Sequence, residues 1–320
     1  MSSFQSRLLI FAMQNRHLFR FKLRREVWDW DKSIPLFRQQ CEQGSINLKL
    51  PEGIQALPVE IPGVTGIQGR QAEWLLPSGA SKEKVILYTV GGGYVSGSCK
   101  DHRALVAKIT RGSGISTLLF DHRLAPEDPF PGALDDAVTA YRWLLAQGVL
   151  PANIMIVGES AGGGLCLATL LAIRDQGLPL PAAAVAISPW TDLALTGESY
   201  RTKLDASIDP PGMSLVCSKY YVGDQDPRQP WISPLYGDLH GLPPLFICVG
   251  TSETMLDDST RFAEKARAAG VDVTLRVWEG MIHCFPLLAP LFPEATQALD
   301  EICAFIKARI GAPQSVSLAE

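Results

Sequence analysis

The sequence lacks any apolar run approaching the roughly 20 residues needed to cross a bilayer. The apolar stretch at residues 8–13 is short, and no small-residue cleavage site follows it. Cys-x-x-Cys pairs are absent too, and the seven cysteines are odd in number and widely spaced. Neither a disulfide framework nor a zinc cage fits that pattern. We therefore expect a cytoplasmic protein without transmembrane helices, disulfides or a bound metal.

An overall excess of basic residues is also missing. The formal net charge is −4 and the pI is about 5.8, so we expect no nucleic-acid partner. The exception is the segment 1–25, which has no acidic residue and carries Arg7, Arg16, Arg20, Lys22, Arg24 and Arg25. A basic amphipathic helix can lie on a membrane surface. We favour instead that its apolar face packs on the rest of the protein.

What the sequence does contain is an alternation of short apolar runs with helix-like segments, typical of a parallel sheet covered on both faces. The predicted strands are residues 85–90, 115–121, 153–158, 183–188, 245–250 and 273–278. The predicted helices are residues 101–111, 133–147, 161–176, 252–269 and 295–309. Residues 57–61 and 71–76 predict two antiparallel edge strands. The pattern therefore predicts an α/β fold with an eight-stranded, mostly parallel sheet flanked by helices.

Two segments, residues 1–45 and 190–240, do not follow this alternation. Insertions of this kind commonly form a lid over a site. We predict that they form a helical cap on a core made of residues 46–189 and 241–312, with a tail at 313–320. A chain of 320 residues is long enough for one large domain with such an accessory piece.

The strongest motif is Gly-Glu-Ser-Ala-Gly at residues 158–162, between a predicted strand and a predicted helix. A serine on a tight strand-to-helix turn takes strained dihedrals, and its neighbours must be small. The turn exposes the hydroxyl of Ser160 at a helix N-terminus, where developing negative charge is favoured. We interpret Ser160 as a nucleophile.

A serine hydroxyl is a weak nucleophile until a base takes its proton. Of the five histidines, only His283 follows the last predicted strand, at the carboxyl edge where such sheets gather their ligands. The orienting acid should follow the preceding strand, where Glu253 and Asp257 lie. Glu253 is nearer the strand end and is the preferred acid, with Asp257 as the alternative.

A second glycine cluster, residues 91–93, follows the strand predicted at 85–90. A dinucleotide-binding loop would need a further glycine where Ser96 stands, so we expect no nucleotide cofactor. Residues without side chains let backbone N–H groups approach the oxygen of a tetrahedral intermediate. We interpret the cluster as an oxyanion loop, and this chemistry needs no metal or organic cofactor.

Together these motifs resemble the hormone-sensitive-lipase group of α/β hydrolases, a bacterial family of carboxylesterases. The likeness extends from about residue 84 to 310 and includes Asp-His-Arg-Leu-Ala-Pro-Glu at 121–127 and Ser-Pro-Trp-Thr-Asp at 188–192. It implies the α/β-hydrolase fold and oxyanion N–H donors at Gly92, Gly93 and Ala161. It also implies an acid about thirty residues before the histidine, which is the separation of Glu253 from His283.

The chain departs from the family pattern at three positions. Val90 stands where the family usually has a histidine that braces the oxyanion loop, and His122 stands where it usually has tyrosine. We interpret His122 as a packing residue. The third departure is the acid itself, since Glu253 replaces the more common aspartate.

These inferences lead to the hypothesis of a serine carboxylesterase that acts on small esters of short to medium acyl chains. The alternatives are a lactone hydrolase or a small-molecule deacetylase on the same residues, a membrane-peripheral lipase that uses residues 1–25, and a non-catalytic, receptor-like binding module. The resemblance further implies a homodimer formed through residues 273–309.

Overall fold

The computed structural model describes residues 2–15, 29–45, 48–64, 72–204, 206 and 212–311. The predicted tail at 313–320 and most of the basic residues of the segment 1–25 lie outside these ranges. Within them, no helix combines the length and the apolarity that a bilayer crossing requires.

Eight strands form one sheet in the order β1-β2-β4-β3-β5-β6-β7-β8. Their bounds are Ile54–Val59 (β1), Ala72–Pro77 (β2), Val85–Thr89 (β3), Ser116–Phe120 (β4), Ile154–Glu159 (β5), Ala183–Ile187 (β6), Leu245–Gly250 (β7) and Val273–Trp278 (β8). β1 and β2 are antiparallel to their neighbours and the other pairs are parallel. The predicted eight-stranded, mostly parallel sheet is confirmed.

The α-helices of the described residues connect and flank these strands. Their bounds are Phe4–Gln14 (α1), Trp30–Ser45 (α2), Cys99–Ser113 (α3), Gly132–Ala146 (α4), Ala161–Asp175 (α5), Ser199–Thr202 (α6), Met213–Val222 (α7), Leu256–Ala268 (α8) and Pro293–Arg309 (α9). Each of the five predicted helices is present, with its ends shifted by a few residues.

The two largest errors in the predicted bounds have local causes. The strand predicted at 57–61 begins at Ile54 and ends at Val59, because its pairing with β2 matches Ile54 to Pro77. The helix predicted to begin at 252 begins at Leu256. Residues 251–255 form turns instead, in which the side chain of Glu253 accepts the backbone N–H of Gly250. Such a bond to a neighbouring backbone group competes with helix formation.

The central strands β3 to β7 are buried on both faces, which explains why they are nearly continuous apolar runs. Along β3, Val85 and Leu87 face a core shared with α4, α5 and α8, whereas Ile86 and Tyr88 face a second core shared with α3 and α9. This alternation follows from the two-residue repeat of a strand. The result is a three-layer arrangement that holds the carboxyl ends of the parallel strands along one edge.

The N-terminal helix α1 is only partly packed on this body. Its Ile10 is buried, and the hydroxyl of Ser3 donates to Glu294 of α9. Phe4, Leu8 and Phe11 are exposed by 71%, 59% and 57%. The expectation that the apolar face of this segment packs on the protein therefore applies to Ile10 but not to these three side chains.

Candidate active site

Ser160 lies between β5 and α5 with φ 57° and ψ −125°, a left-handed backbone conformation that side chains rarely adopt. The flanking glycines are required by close backbone approach. A Cβ at Gly158 would overlap the carbonyl oxygen of Gly162, and a Cβ at Gly162 would overlap that of Thr89. The expected reason for the glycines of the motif is thus present in the structure.

The imidazole of His283 reaches the serine from the loop that follows β8. Its Nε2 lies 2.9 Å from Oγ of Ser160, although the residues are 123 positions apart. The histidine side chain is only 11% exposed. Partial burial strengthens polar interactions at this point, because little water competes for the two groups.

The other imidazole nitrogen meets a buried carboxylate. Nδ1 of His283 lies 2.7 Å from Oε2 of Glu253, which is completely buried. A carboxylate at Nδ1 favours the tautomer with the proton on that nitrogen, so Nε2 is free to accept the hydroxyl proton of Ser160. The remaining oxygen of Glu253 accepts the backbone N–H of Gly250 at 2.7 Å.

The alternative acid, Asp257, is occupied elsewhere. It lies in the first turn of α8, where its Oδ2 accepts the backbone N–H of Ser199 at 2.9 Å. The next carboxylate, Asp258, accepts the N–H groups of Thr191 and Asp192 at 2.8 Å each. Of the three carboxylates after β7, the structure brings Glu253 to the imidazole.

Ser188, for which no role was predicted, supports this arrangement. Its hydroxyl donates to Oε1 of Glu253 at 2.9 Å and accepts the backbone N–H of Cys284 at 3.1 Å. Ser188 therefore links the acid to the loop that carries His283. The one feature of the sequence that could have indicated this role is its position. Ser188 ends a predicted strand and begins a motif that the chain shares with the family it resembles.

The glycine cluster forms a loop beside the serine. Gly92 and Gly93 have φ of 112° and 67°, and a Cβ at Gly92 would lie 2.6 Å from the hydroxyl of Ser96. Among the described residues, no group accepts a hydrogen bond from the backbone N–H of Gly92, Gly93 or Ala161. Ala161 opens α5, whose N-terminus favours negative charge at this position.

Polar groups fix the beginning of this loop. The ring Nε2 of His122 lies 3.3 Å from the carbonyl oxygen of Val90, and its Nδ1 lies 2.9 Å from that of Arg123. The next backbone N–H, that of Gly91, donates to Oε1 of Glu159 at 2.7 Å. Interpreting His122 as a packing residue was therefore incomplete, because its ring also contacts the loop next to Val90.

These groups open into a cavity of about 200 Å³. Its walls are largely apolar and include Trp190, Met213, Cys217 and Met255, and Ser160 and His283 also line it. The cavity is smaller than the roughly 300–1,000 Å³ of pockets that hold drug-sized ligands. It can hold a small apolar group directly beside the serine hydroxyl.

The cysteines are all free thiols, in agreement with their irregular spacing. Burial raises the pKa of Cys284, the neighbour of His283, so this thiol is not a competing anionic nucleophile at neutral pH. Within the described ranges, no three or more His, Cys, Asp or Glu side chains are grouped so that they could hold a metal ion.

Comparison with known proteins gives consistent results. Residues 86–287 match the model of a family with the alpha/beta hydrolase fold. An acetyl-hydrolase of Streptomyces hygroscopicus is 42% identical over 242 residues, which are 75% of this chain and 80% of that protein. A crystal structure of an esterase from the bacterial hormone-sensitive lipase family is 39% identical with a TM-score of 0.85, covering 97% of this chain and 100% of that one. EstE5 soaked with p-nitrophenyl butyrate has the same identity and coverage and a TM-score of 0.86.

Proposed function

Because this chain belongs to the hormone-sensitive-lipase family of α/β hydrolases and is a carboxylic-ester hydrolase, we propose that it hydrolyses short- to medium-chain esters through an acyl-enzyme on Ser160. The observation that carries this proposal is the continuous series of hydrogen bonds from Ser160 through His283 to Glu253. Each of these three residue types suits the chemical step that it has to perform.

In the proposed first step, Ser160 attacks the ester carbonyl while Nε2 of His283 takes the hydroxyl proton. The carboxylate of Glu253 stabilises the imidazolium that forms. The tetrahedral oxygen accepts hydrogen bonds from the backbone N–H groups of Gly92, Gly93 and Ala161, for which there is no other acceptor among the described residues.

The intermediate then collapses, and the imidazolium gives its proton to the departing alcohol oxygen. Water attacks the resulting acyl-enzyme with His283 again as base. This releases the carboxylic acid and restores the hydroxyl of Ser160. The bonds formed and broken balance without any further reactant.

The acyl-chain preference is proposed from the size of the cavity. A volume of about 200 Å³ beside Ser160 suits a short acyl group and leaves little room for a long one. The names of two similar proteins agree with this, since one is an acetyl-hydrolase and the other was soaked with a butyrate ester.

A series of p-nitrophenyl acetate, butyrate, octanoate and palmitate tests the preference, with a γ-lactone measured beside it. We expect kcat/KM to be highest among the shorter esters and to fall steeply before palmitate. A maximum at palmitate would contradict the proposal. Lactone turnover exceeding that of every ester would favour the lactone hydrolase, and selective turnover of acetylated small molecules would favour the deacetylase.

A fluorophosphonate probe separates this proposal from the receptor-like alternative. The probe phosphonylates an activated serine, so a stoichiometric adduct on Ser160 is expected. A purified and folded protein that stays unlabelled would instead fit a non-catalytic binding module.

We further propose that residues 1–45 and 190–240 act as the cap. From the second segment, Met213, Ser214 and Cys217 of α7 line the cavity. From the first, Nε of Arg38 in α2 donates to the carbonyl oxygen of Val95 in the oxyanion loop. Arg38→Met removes the contact with Val95, so it should change KM for the ester series more than it changes labelling of Ser160.

Two further proposals concern binding partners, namely a second copy of this chain and a membrane surface. β8 is the edge strand of the sheet, and a second copy that pairs along Val273–Trp278 and packs Pro293–Arg309 would cover that edge. Light scattering at several concentrations tests this dimer. The exposed Phe4, Leu8 and Phe11 of α1 are the feature that would favour the membrane-peripheral lipase. Co-sedimentation with anionic vesicles that is lost in Phe11→Ser would support that alternative.

A further inference from the structure

A buried cluster of charged side chains lies behind the oxyanion loop. It is separate from the hydrogen bonds that join Ser160, His283 and Glu253. It consists of Asp101 and His102 near the start of α3 and of Glu159 at the end of β5. The Nδ1 of His102 lies 2.5 Å from Oδ1 of Asp101, and its Nε2 lies 2.9 Å from Oε1 of Glu159. The side chains of Asp101 and Glu159 are only 6% and 3% exposed.

The contacts of His102 favour the charged form of its ring. A neutral imidazole has one N–H donor, whereas the imidazolium has two. Each ring nitrogen faces a carboxyl oxygen, and two ionised carboxylates are both satisfied only when both nitrogens donate. Burial lowers the pKa of His102, but Glu159 and Asp101 raise it more, to about 10. The ring is therefore a cation at neutral pH, and it compensates buried negative charge.

The same carboxylates hold the two ends of the oxyanion loop. Oε1 of Glu159 accepts the backbone N–H of Gly91 at 2.7 Å, where the loop begins. Oδ1 of Asp101 accepts the backbone N–H of Ser98 at 2.7 Å, where the loop enters α3. The loop between these two points contains Gly92 and Gly93. His102 therefore contacts both of the carboxylates that hold the ends of this loop.

Glu159 also connects the loop to the nucleophile, because it directly precedes Ser160. A displacement of its carboxylate would move the Gly91 N–H relative to the serine turn. The distance between the loop and the serine is short, since a Cβ at Gly91 would lie 3.2 Å from Cβ of Ser160. Small shifts here change the alignment of the N–H donors with the tetrahedral oxygen.

We propose that His102 is a positioning residue of the oxyanion hole, which holds Glu159 and Asp101 so that the loop presents the N–H groups of Gly92 and Gly93 to the substrate oxygen. The inference rests on the proposed function of Ser160. His102 itself touches neither the substrate nor the reacting atoms. It acts in a chain where Val90 replaces the histidine expected at the start of the loop.

The test uses His102→Gln in the full-length protein, with Arg103→Gln as the matched control. Arg103 is the next residue of α3, and its guanidinium forms an ion pair with the buried Glu73 at 2.6 Å. His102 and Arg103 are both cations of α3 that contact a buried carboxylate, and each substitution removes one of them. Only His102 contacts the carboxylates that anchor the loop. Both variants should therefore lose stability, whereas only His102→Gln should lose rate.

We expect His102→Gln to lower kcat for p-nitrophenyl butyrate by about 10- to 100-fold, the scale of a misplacement near 1 Å, with KM changed less than twofold. Active sites are counted by fluorophosphonate titration, so unfolded protein does not contribute. Affinity for a trifluoromethyl ketone, whose adduct carries an oxyanion, should fall by the same factor as kcat. Arg103→Gln should keep both values within twofold of wild type.

A double-mutant cycle shows whether His102 acts through Glu159. The losses of His102→Gln and Glu159→Gln should be strongly non-additive, because both break the same support. If every His102→Gln molecule is labelled by the fluorophosphonate, and the variant keeps wild-type kcat and ketone affinity, the positioning role is refuted. Additive losses would also contradict it. Either outcome is distinct from a failure of the proposed function, in which the wild-type protein itself would not be labelled at Ser160.

Discussion

Nε2 of His283 and Oγ of Ser160 are 2.9 Å apart although 123 residues separate them in the chain. The two side chains come from the carboxyl ends of β5 and β8, which are not neighbours in the sheet. The loop after β8 covers this distance by folding back over the end of β7, where a Cβ at Gly250 would overlap the carbonyl oxygen of Met281. Gly250 thus permits the close approach that brings His283 to the serine.

Removing either partner of this contact should abolish turnover. Ser160→Ala lacks the nucleophile and His283→Gln lacks the base, so each should reduce kcat for p-nitrophenyl butyrate by about 10³-fold or more. Steady-state assays of purified protein measure the loss, and circular dichroism checks that the fold is retained. Wild-type turnover by folded Ser160→Ala would refute Ser160 as the nucleophile.

The acid should be identified by comparing two isosteric substitutions. Glu253→Gln keeps the shape of the side chain but favours the wrong tautomer of His283, so kcat should fall by about 10⁴-fold. Asp257→Asn changes a carboxylate bonded to Ser199, and kcat should stay within about tenfold of wild type. The reverse ranking in the same ester assay would identify Asp257 as the acid.

The oxyanion loop should not tolerate a methyl group at Gly92. This residue has φ of 112°, and a Cβ would collide with Ser96, so Gly92→Ala should displace the loop and lower kcat by about 10²-fold. The matched control is Gly79→Ala, which also has positive φ, 76°, but no atom within 4 Å of the added Cβ. The control should lose stability in thermal unfolding and retain kcat.

Enlarging the cavity should change the acyl-chain preference. Met255 lines the cavity and is 5% exposed, so Met255→Ala creates space for a longer chain. The ratio of kcat/KM for octanoate to that for butyrate should rise about tenfold, the effect of a few apolar contacts. Met155→Ala removes an equally apolar side chain from β5 outside the cavity lining. It should cost stability without changing this ratio.

The charge cluster behind the loop should make stability depend on pH in a specific window. The charged and titratable groups around His102 are Asp101 on its own helix, Glu159 on β5, and Tyr88 and Cys41, which face these carboxylates. Because the pKa of His102 is raised from 6.5 to about 10, its contribution is complete below pH 6.5 and is lost as the pH rises to about 10.

Urea unfolding at pH 6, 8 and 10 measures this contribution as the difference between wild type and His102→Gln. The difference should be largest at pH 6 and should shrink steadily towards pH 10. Subtracting the variant removes the contribution of other groups that titrate in the same range. A difference that grew with pH would mean that His102 is neutral in the folded protein.

Most strands could be predicted from the sequence because the apolar pattern that marks a buried strand is local, although strand pairing is not. Runs such as residues 85–90 and 245–250 are apolar at nearly every position, with Thr89 as a polar exception, and this is typical of strands buried on both faces. The glycine at 158 also has a local cause, since a Cβ there would overlap the carbonyl oxygen of Gly162, whereas the close approach that requires Gly162 comes from Thr89 of β3. The order of serine, acid and histidine then pointed to His283 without coordinates.

Errors arose where the answer depended on pairing or on a loop. The first strand begins at Ile54 because β2 pairs with it there, and nothing within residues 54–61 marks that start. The support that Ser188 gives to Glu253 and that His102 gives to Glu159 was not predicted at all. Each of these contacts joins elements that are distant in the chain.

Local patterns of apolar and small residues thus determined which segments become strands, where the serine turn lies and which histidine follows the last strand. Only the tertiary structure decided that Glu253 rather than Asp257 meets the imidazole, how large the cavity is, and what anchors the loop at Gly91 and Ser98. Periodicity acts between near neighbours in the chain. A hydrogen bond requires two atoms to lie within about 3 Å, and that condition depends on the paths of several loops at once.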